Sequence, residues 1–97
     1  MDDQGILYVA DGYPRRLKIY RTNGQWIGEI SGLTFNGRKR RFYDLVSVEA
    51  VGTDIYVLSS FADDKDGPAY LIRCDGSEPG KLTVRWQVPV SPFARFI

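Results

Sequence analysis

The chain has 97 residues, 43% hydrophobic and 26% charged, with a formal net charge of +1. That is room for one small domain, with no global charge to draw it to nucleic acid or membrane. There is no His and a single Cys, which excludes an intrachain disulfide and any His-based triad or dyad, and removes the commonest transition-metal ligand.

Taken in chain order, MDDQG is acidic and short of an apolar core, unlike a signal peptide. No apolar run approaches the ~20 residues of a membrane span, so the expectation is a soluble, cytoplasmic chain with no membrane partner and no cofactor. ILYVA (6–10) is rich in strand formers and meets the breakers DGYP. LKIYR (17–21) alternates apolar and polar residues and meets TNGQ, where Asn-Gly between two such runs is a strong hairpin signal. WIGEIS (26–31) follows, and GLTFNGRKRRF reads as a long connection. DLVSVEA (44–50) alternates, turns at VGTD and leads to IYVLSS (55–60) and the polar loop FADDKDGPA. YLIRC (70–74), the turn DGSEPGK, LTVRWQV (82–88) and a final PFARFI complete the chain. Gly and Pro recur too often for a helix of more than two turns. Eight short strands at hairpin spacing predict an all-β sandwich, barrel or propeller.

An internal repeat selects the propeller. LYVADGYPRRLKIYRTNGQWI and IYVLSSFADDKDGPAYLIRCDG…LTVRW share one plan: an aromatic-centred strand, a polar loop, a strand ending in Arg, an Asn-Gly or Asp-Gly turn, and a Trp-bearing strand. Tyr8 and Tyr56, and Gly24 and Gly76, mark a period of about 50 residues, which suits four-stranded blades; Tyr8 and Tyr56 both read as core. LYVADGYPRRLKIYRTNGQWIGEI also resembles an NHL-type propeller blade. Such blades run roughly as YVAD, a loop with Asn-Arg, V-x-V-F, Asp-Gly and F-x-x-x-I-G. Tyr8-Val9-Ala10-Asp11, Arg16, Lys18-Ile19-Tyr20, Asn23-Gly24 and Trp26 to Ile30 stand in those places. The second repeat keeps Ile55-Tyr56-Val57, Asp75-Gly76 and the strand that follows, with Ser59 in place of the Asp. The resemblance covers about half the chain well.

Residues 1–97 thus read as one two-blade unit: blade 1 at about 6–31, one strand short, and blade 2 at about 44–88 with all four. The unspent strand is Pro92, Phe93, Ala94, Arg95, Phe96 and Ile97. The expectation is that it completes blade 1 of a neighbouring copy beside Ile6, Leu7, Tyr8 and Val9, with 1–5 as the turn of a hairpin whose covalent link is absent. This heterologous contact closes by rotation. The resemblance implies six blades, hence a homotrimer; small lectins that close two-blade chains into six-bladed rings are similar in plan. The alternative is a piece of a longer propeller.

On a propeller DGYPRR, GLTFNGRKRRF and FADDKDGPA project from one face, where irregular segments carry function. The sharpest feature is Arg38, Lys39, Arg40 and Arg41, with Arg15 and Arg16 on the same rim. This is a candidate face for phosphate, sulfate, nucleic acid or an acidic protein, and some NHL-type propellers bind RNA on a basic face. Tyr13, Phe35, Phe42 and Tyr43 are available to stack on bases. The bland reading is solvated charge, partly paired with Asp63, Asp64 and Asp66. Trp26 and Trp86, at equivalent places in the outermost strands, suit inter-blade packing or, alternatively, stacking on a sugar. DDKDG matches only part of a calcium loop, so no metal is expected. Cys74 reads as a small buried thiol. Related six-bladed lactonases hold metal on Glu, Asn and Asp in the channel; Glu49 is the one candidate here, on the polar side of a strand that sets Val46, Val48 and Ala50 against Ser47 and Glu49. The expectation is a non-catalytic, self-assembling binding or scaffold module for an anionic ligand or nucleic acid. The alternatives are a glycan-binding, lectin-like propeller, or a half-propeller fragment, engineered or evolutionary, with no ligand.

Overall fold

The computed structural model describes residues 4–11, 15–78 and 80–90. The expected closing strand Pro92 to Ile97, most of the turn at 1–5, and Tyr13 lie outside the described residues. Within them the chain is all-β. A three-stranded antiparallel sheet runs β1 (Ile6–Asp11), β2 (Arg16–Arg21), β3 (Trp26–Ile30). A five-stranded antiparallel sheet runs β4 (Gly32–Phe35), β5 (Arg38–Val51), β6 (Asp54–Phe61), β7 (Ala69–Asp75), β8 (Thr83–Val90). Every ladder joins strands adjacent in sequence, as expected of chains built from short hairpin turns.

The pleat sorts side chains by period two. In β1, Ile6 and Tyr8 are buried while Leu7 and Val9 are exposed; β2 answers with buried Leu17 and Ile19. In the second sheet the same inward positions are Ile55 and Val57 on β6 and Ile72 and Cys74 on β7, all 0% exposed. These inner faces share one apolar core, and the Gln4 amide spans the sheets by donating to the Ser77 carbonyl at 2.7 Å.

The sheets repeat one another, but one residue away from the expected alignment. Tyr8 pairs with Ile19 and Val57 with Ile72, both inward rungs. The next rungs are Leu7 with Tyr20 and Tyr56 with Arg73. Tyr8 therefore matches Val57, and Tyr56 matches Leu7. Tyr56 is not core: it is half-buried on the opposite face, edge-on to Trp86 at 6.3 Å. Trp26 and Trp86 do occupy equivalent rungs, opposite Tyr20 and Arg73, each beside a register shift in the ladder.

The stretch GLTFNGRKRRF is a hairpin rather than a connection. Phe35 pairs with Arg38 across a two-residue turn in which Asn36 (φ 50°) and Gly37 (φ 81°) are both left-handed, the conformation that Asn-Gly turns supply. Gly32 allows the ladder to close, since a Cβ there would stand 2.2 Å from the Arg40 carbonyl oxygen. β5 therefore starts at Arg38, six residues before the expected strand, and carries both the β4 and the β6 ladder. Its register breaks at Phe42–Leu45 and Leu45–Ser47, so that Leu45 is buried and Val46 is 52% exposed. This takes Val46 out of the expected alternation, while Val48 and Ala50 do pack against the core and Glu49 faces out. The sheet curls until β4 approaches β8. Phe61, 1% exposed, is enclosed by Phe35 (5.4 Å), Phe42 (6.1 Å) and Tyr70 (6.2 Å).

Candidate anion-binding cleft between the sheets

The pleat divides the run Arg38 to Arg41. Arg38 and Arg40 share a face with Phe35 and Leu33, their ladder partners, and Leu33 is buried. Lys39 and Arg41 point the other way, opposite Thr34 and Gly32.

Arg40 is part of the packing. Its guanidinium lies 4.6 Å from the Phe61 ring centroid, 5.6 Å from Tyr70 and 5.7 Å from Phe35. It donates through Nε and Nη2 to both carboxylate oxygens of Asp63, at 2.9–3.1 Å, the fork geometry natural to Arg. Those bonds raise Arg40 above its ordinary value and hold the Asp63 carboxyl below the usual carboxylate value. Arg38 reaches the same carboxylate at 3.3 Å with its side chain 74% exposed, a pairing worth little in water. Asp63 was among the acidic partners expected from the neighbouring loop. Asp64 instead folds back within that loop: its N–H donates to the Phe61 carbonyl and its carbonyl accepts from Gly67.

Arg41 meets Arg15 and Arg16 at the crossover between sheets. Ser31 alone links β3 to β4, and its carbonyl accepts the Phe42 N–H at 3.0 Å. Around this point a cleft of about 480 Å³ is lined by Arg15, Arg16, Glu29, Ser31, Arg41, Phe42 and Ala62. Arg16 is bound to the Glu29 carboxylate. Arg15 holds a left-handed backbone (φ 68°), an uncommon conformation for a non-Gly residue, and its guanidinium lies 4.6 Å over the Tyr43 ring of the second sheet. Neither Arg15 nor Arg41 forms an ion pair with a described residue.

Of the six expected cations, then, Arg15, Arg16 and Arg41 converge; Arg38 and Arg40 serve Asp63; and Lys39 stands exposed on the hairpin. Glu29 and Ser31 belong to the cleft and were not read from the sequence. The available signal was Glu29 at an outward position of WIGEI, opposite Lys18. Of the aromatics offered for base stacking, the three described residues are engaged within the fold: Phe35 and Phe42 pack on Phe61, and Tyr43 lies under Arg15.

Trp26 (49% exposed) and Trp86 (39%) each meet a Tyr edge-on, Tyr20 at 5.4 Å and Tyr56 at 6.3 Å. Trp86 also lines a groove of about 210 Å³ with Thr34, Phe35, Asn36, Val84, Arg85 and Gln87. Glu49 is exposed and faces Tyr56 across the ladder. No group of three or more His, Cys, Asp or Glu residues that would hold a metal ion occurs among the described residues. Cys74 is buried, and desolvation pushes its thiol up to about 12, so its reactive thiolate is scarce at neutral pH. No helix among the described residues is long and apolar enough to cross a membrane. No family model, curated protein or solved structure matches the chain.

Proposed function

We propose that this chain is a non-catalytic binding module of β-propeller type that assembles with copies of itself and takes an anionic ligand in the cleft between its sheets. The observation that carries the ligand reading is the meeting of Arg15, which leads into the first sheet, and Arg41, on β5 of the second, at one concave point and without carboxylate partners among the described residues. Concavity and convergent charge are what separate a ligand site from solvated surface charge. Calorimetric titration with inorganic pyrophosphate tests it: binding that weakens steeply from low to physiological salt is expected, and no binding at either salt overturns it.

The assembly reading is supported by the matched rungs of the two sheets and by their apolar outward faces. Leu7, Val9 and Trp26 on one sheet and Trp86 and Val88 on the other are each about 40–50% exposed, which suits blades stacked against neighbours. We place three chains in a six-bladed ring, the C-terminal strand of each completing the first blade of the next. Light scattering over a dilution series gives a mass of three chains if this is right; a folded monomer overturns the ring and leaves the cleft untouched. A glycan is the second reading, favoured by the groove at Trp86, where an open indole lies beside Asn36, Arg85 and Gln87. Binding lost on Trp86→Ala but indifferent to salt would select it.

A further inference from the structure

Resting on the anion-binding reading, we infer that the ligand class is a phosphate group carried on a small molecule, and that it bridges the two sheets. Three observations lead there.

The first is charge. Arg15, Arg16 and Arg41 bring three positive charges and Glu29 one negative, and the Glu29 carboxylate is already taken by Arg16. A surplus of two fits the roughly −1.5 to −2 of a phosphomonoester at neutral pH. The two guanidiniums not committed to a carboxylate each offer a planar fork, which matches a tetrahedral oxyanion better than a point charge does. Ser31 also lines the cleft.

The second is shape. About 480 Å³ exceeds one phosphate and lies within the usual range of small-ligand clefts, roughly 300–1,000 Å³. A single-stranded nucleic acid would use stacking platforms along a basic groove, but among the described candidates Phe35 and Phe42 are packed on Phe61 and Tyr43 is covered by Arg15. Lys39 and Arg38 do not line this cleft; they line an adjoining hollow of about 290 Å³ that meets it at Arg41 and Ala62, and there Asp63 already pairs with Arg38 and Arg40, so the surplus charge is concentrated in the cleft.

The third is placement. Arg15 immediately precedes β2 of the first sheet, and Arg41 lies on β5 of the second. A phosphate touching both ties the sheets together beside Ser31, their single-residue link. Arg15 already crosses to the second sheet through Tyr43, so its guanidinium is held there before any ligand arrives.

The test is calorimetric titration of the whole chain with inorganic phosphate, methyl phosphate and a polyuridine 12-mer, on the parent and on Arg15→Gln, Arg41→Gln and Lys39→Gln. The three variants lose the same charge, and circular dichroism checks their folding. Phosphate and methyl phosphate should bind once per chain and raise the melting temperature. Affinity should fall at least tenfold in Arg15→Gln and Arg41→Gln and stay within twofold in Lys39→Gln. Arg41→Lys, which keeps the charge and loses the fork, should fall in between. Affinity for methyl phosphate should also drop as the pH is lowered through about 6, where a phosphomonoester dianion takes up a proton. Equal losses in all three variants would mean diffuse attraction and overturn the cleft. Polyuridine bound while both phosphates are ignored would overturn this inference and leave the anion-binding reading standing. Binding of none of the three probes would overturn both.

Discussion

Replacing Phe61 with Ala tests whether the β4–β5 hairpin curls over the rest of the second sheet. Phe61 is 1% exposed and meets three other rings at 5.4–6.2 Å, with the Arg40 guanidinium 4.6 Å from its centroid. Truncating an enclosed Phe costs about 3–5 kcal/mol, and the cost rises with the cavity that remains. Collapse into this cavity is hindered: Phe35 and Phe42 sit on the hairpin backbone, and Arg40 is anchored to both oxygens of Asp63. The upper half of the range is therefore expected, about 4 kcal/mol, out of the about 5–15 kcal/mol on which a domain stands. At about 4–8 °C per kcal/mol for a domain of this size, the melting temperature falls by about 15–30 °C. Phe61→Leu retains much of the volume and should cost about 1–1.5 kcal/mol, which keeps the test readable if the Ala variant does not fold. Urea titrations at one protein concentration, followed by the fluorescence of Trp26 and Trp86, measure both. A loss under about 1 kcal/mol for Phe61→Ala would mean that the ring is not enclosed and that the hairpin does not cover it.

Gly32→Ala places a Cβ 2.2 Å from a backbone carbonyl oxygen that cannot step aside; a loss of about 1–3 kcal/mol is expected from this overpacking, read in the same titration. Asp63 is held below its ordinary value of 3.8 chiefly by the Arg40 hydrogen bonds. A depressed carboxyl gives stability that is fully present above the unfolded value and is lost as the pH falls through the folded one, so acid titration of Asp63→Asn should show a flatter limb below about pH 4. Cys74, with its thiol pushed up to about 12, should resist a disulfide reagent at pH 7.5 in the native protein and react fully in urea; rapid native labelling would contradict its burial.

Most of the strands were legible because alternation of apolar and polar residues survives wherever one face is buried. Ile6 to Asp11, Arg16 to Arg21 and Asp54 to Phe61 lie within a residue or two of expectation. The hairpin at 32–41 was hidden by its own charges. Asn36-Gly37 is a turn signal, but Arg38 to Arg41 reads as solvated loop until Arg40 is seen among three rings. The same run concealed the candidate cleft: four adjacent cations look like one cluster, and the pleat sends alternate ones to opposite faces. Tyr56 was misplaced for a related reason. Matching Tyr8 to Tyr56 compares letters, whereas burial follows phase, and one residue of phase inverts a strand.

The nearest-neighbour pairing of every described ladder has a kinetic consequence. Antiparallel partners joined by short turns close small loops, and hairpins form in about 1–10 μs; low sequence separation of contacts favours quick folding among β proteins. What is distant in sequence is the seating of one sheet on the other, where Ile6 and Tyr8 meet the region of Ile55 and Gly76 and Gln4 reaches Ser77 across 73 positions. Each sheet can therefore form before the two dock, and the native contacts between them are expected to arise late. Trimming Ile6 or Ile55 should then leave the refolding rate nearly unchanged and accelerate unfolding, the signature of contacts made after the barrier. The lifetime of the folded chain is governed by how firmly the sheets stay docked, and any molecule that straddles them, as Arg15 already does on Tyr43, slows the first step of their parting.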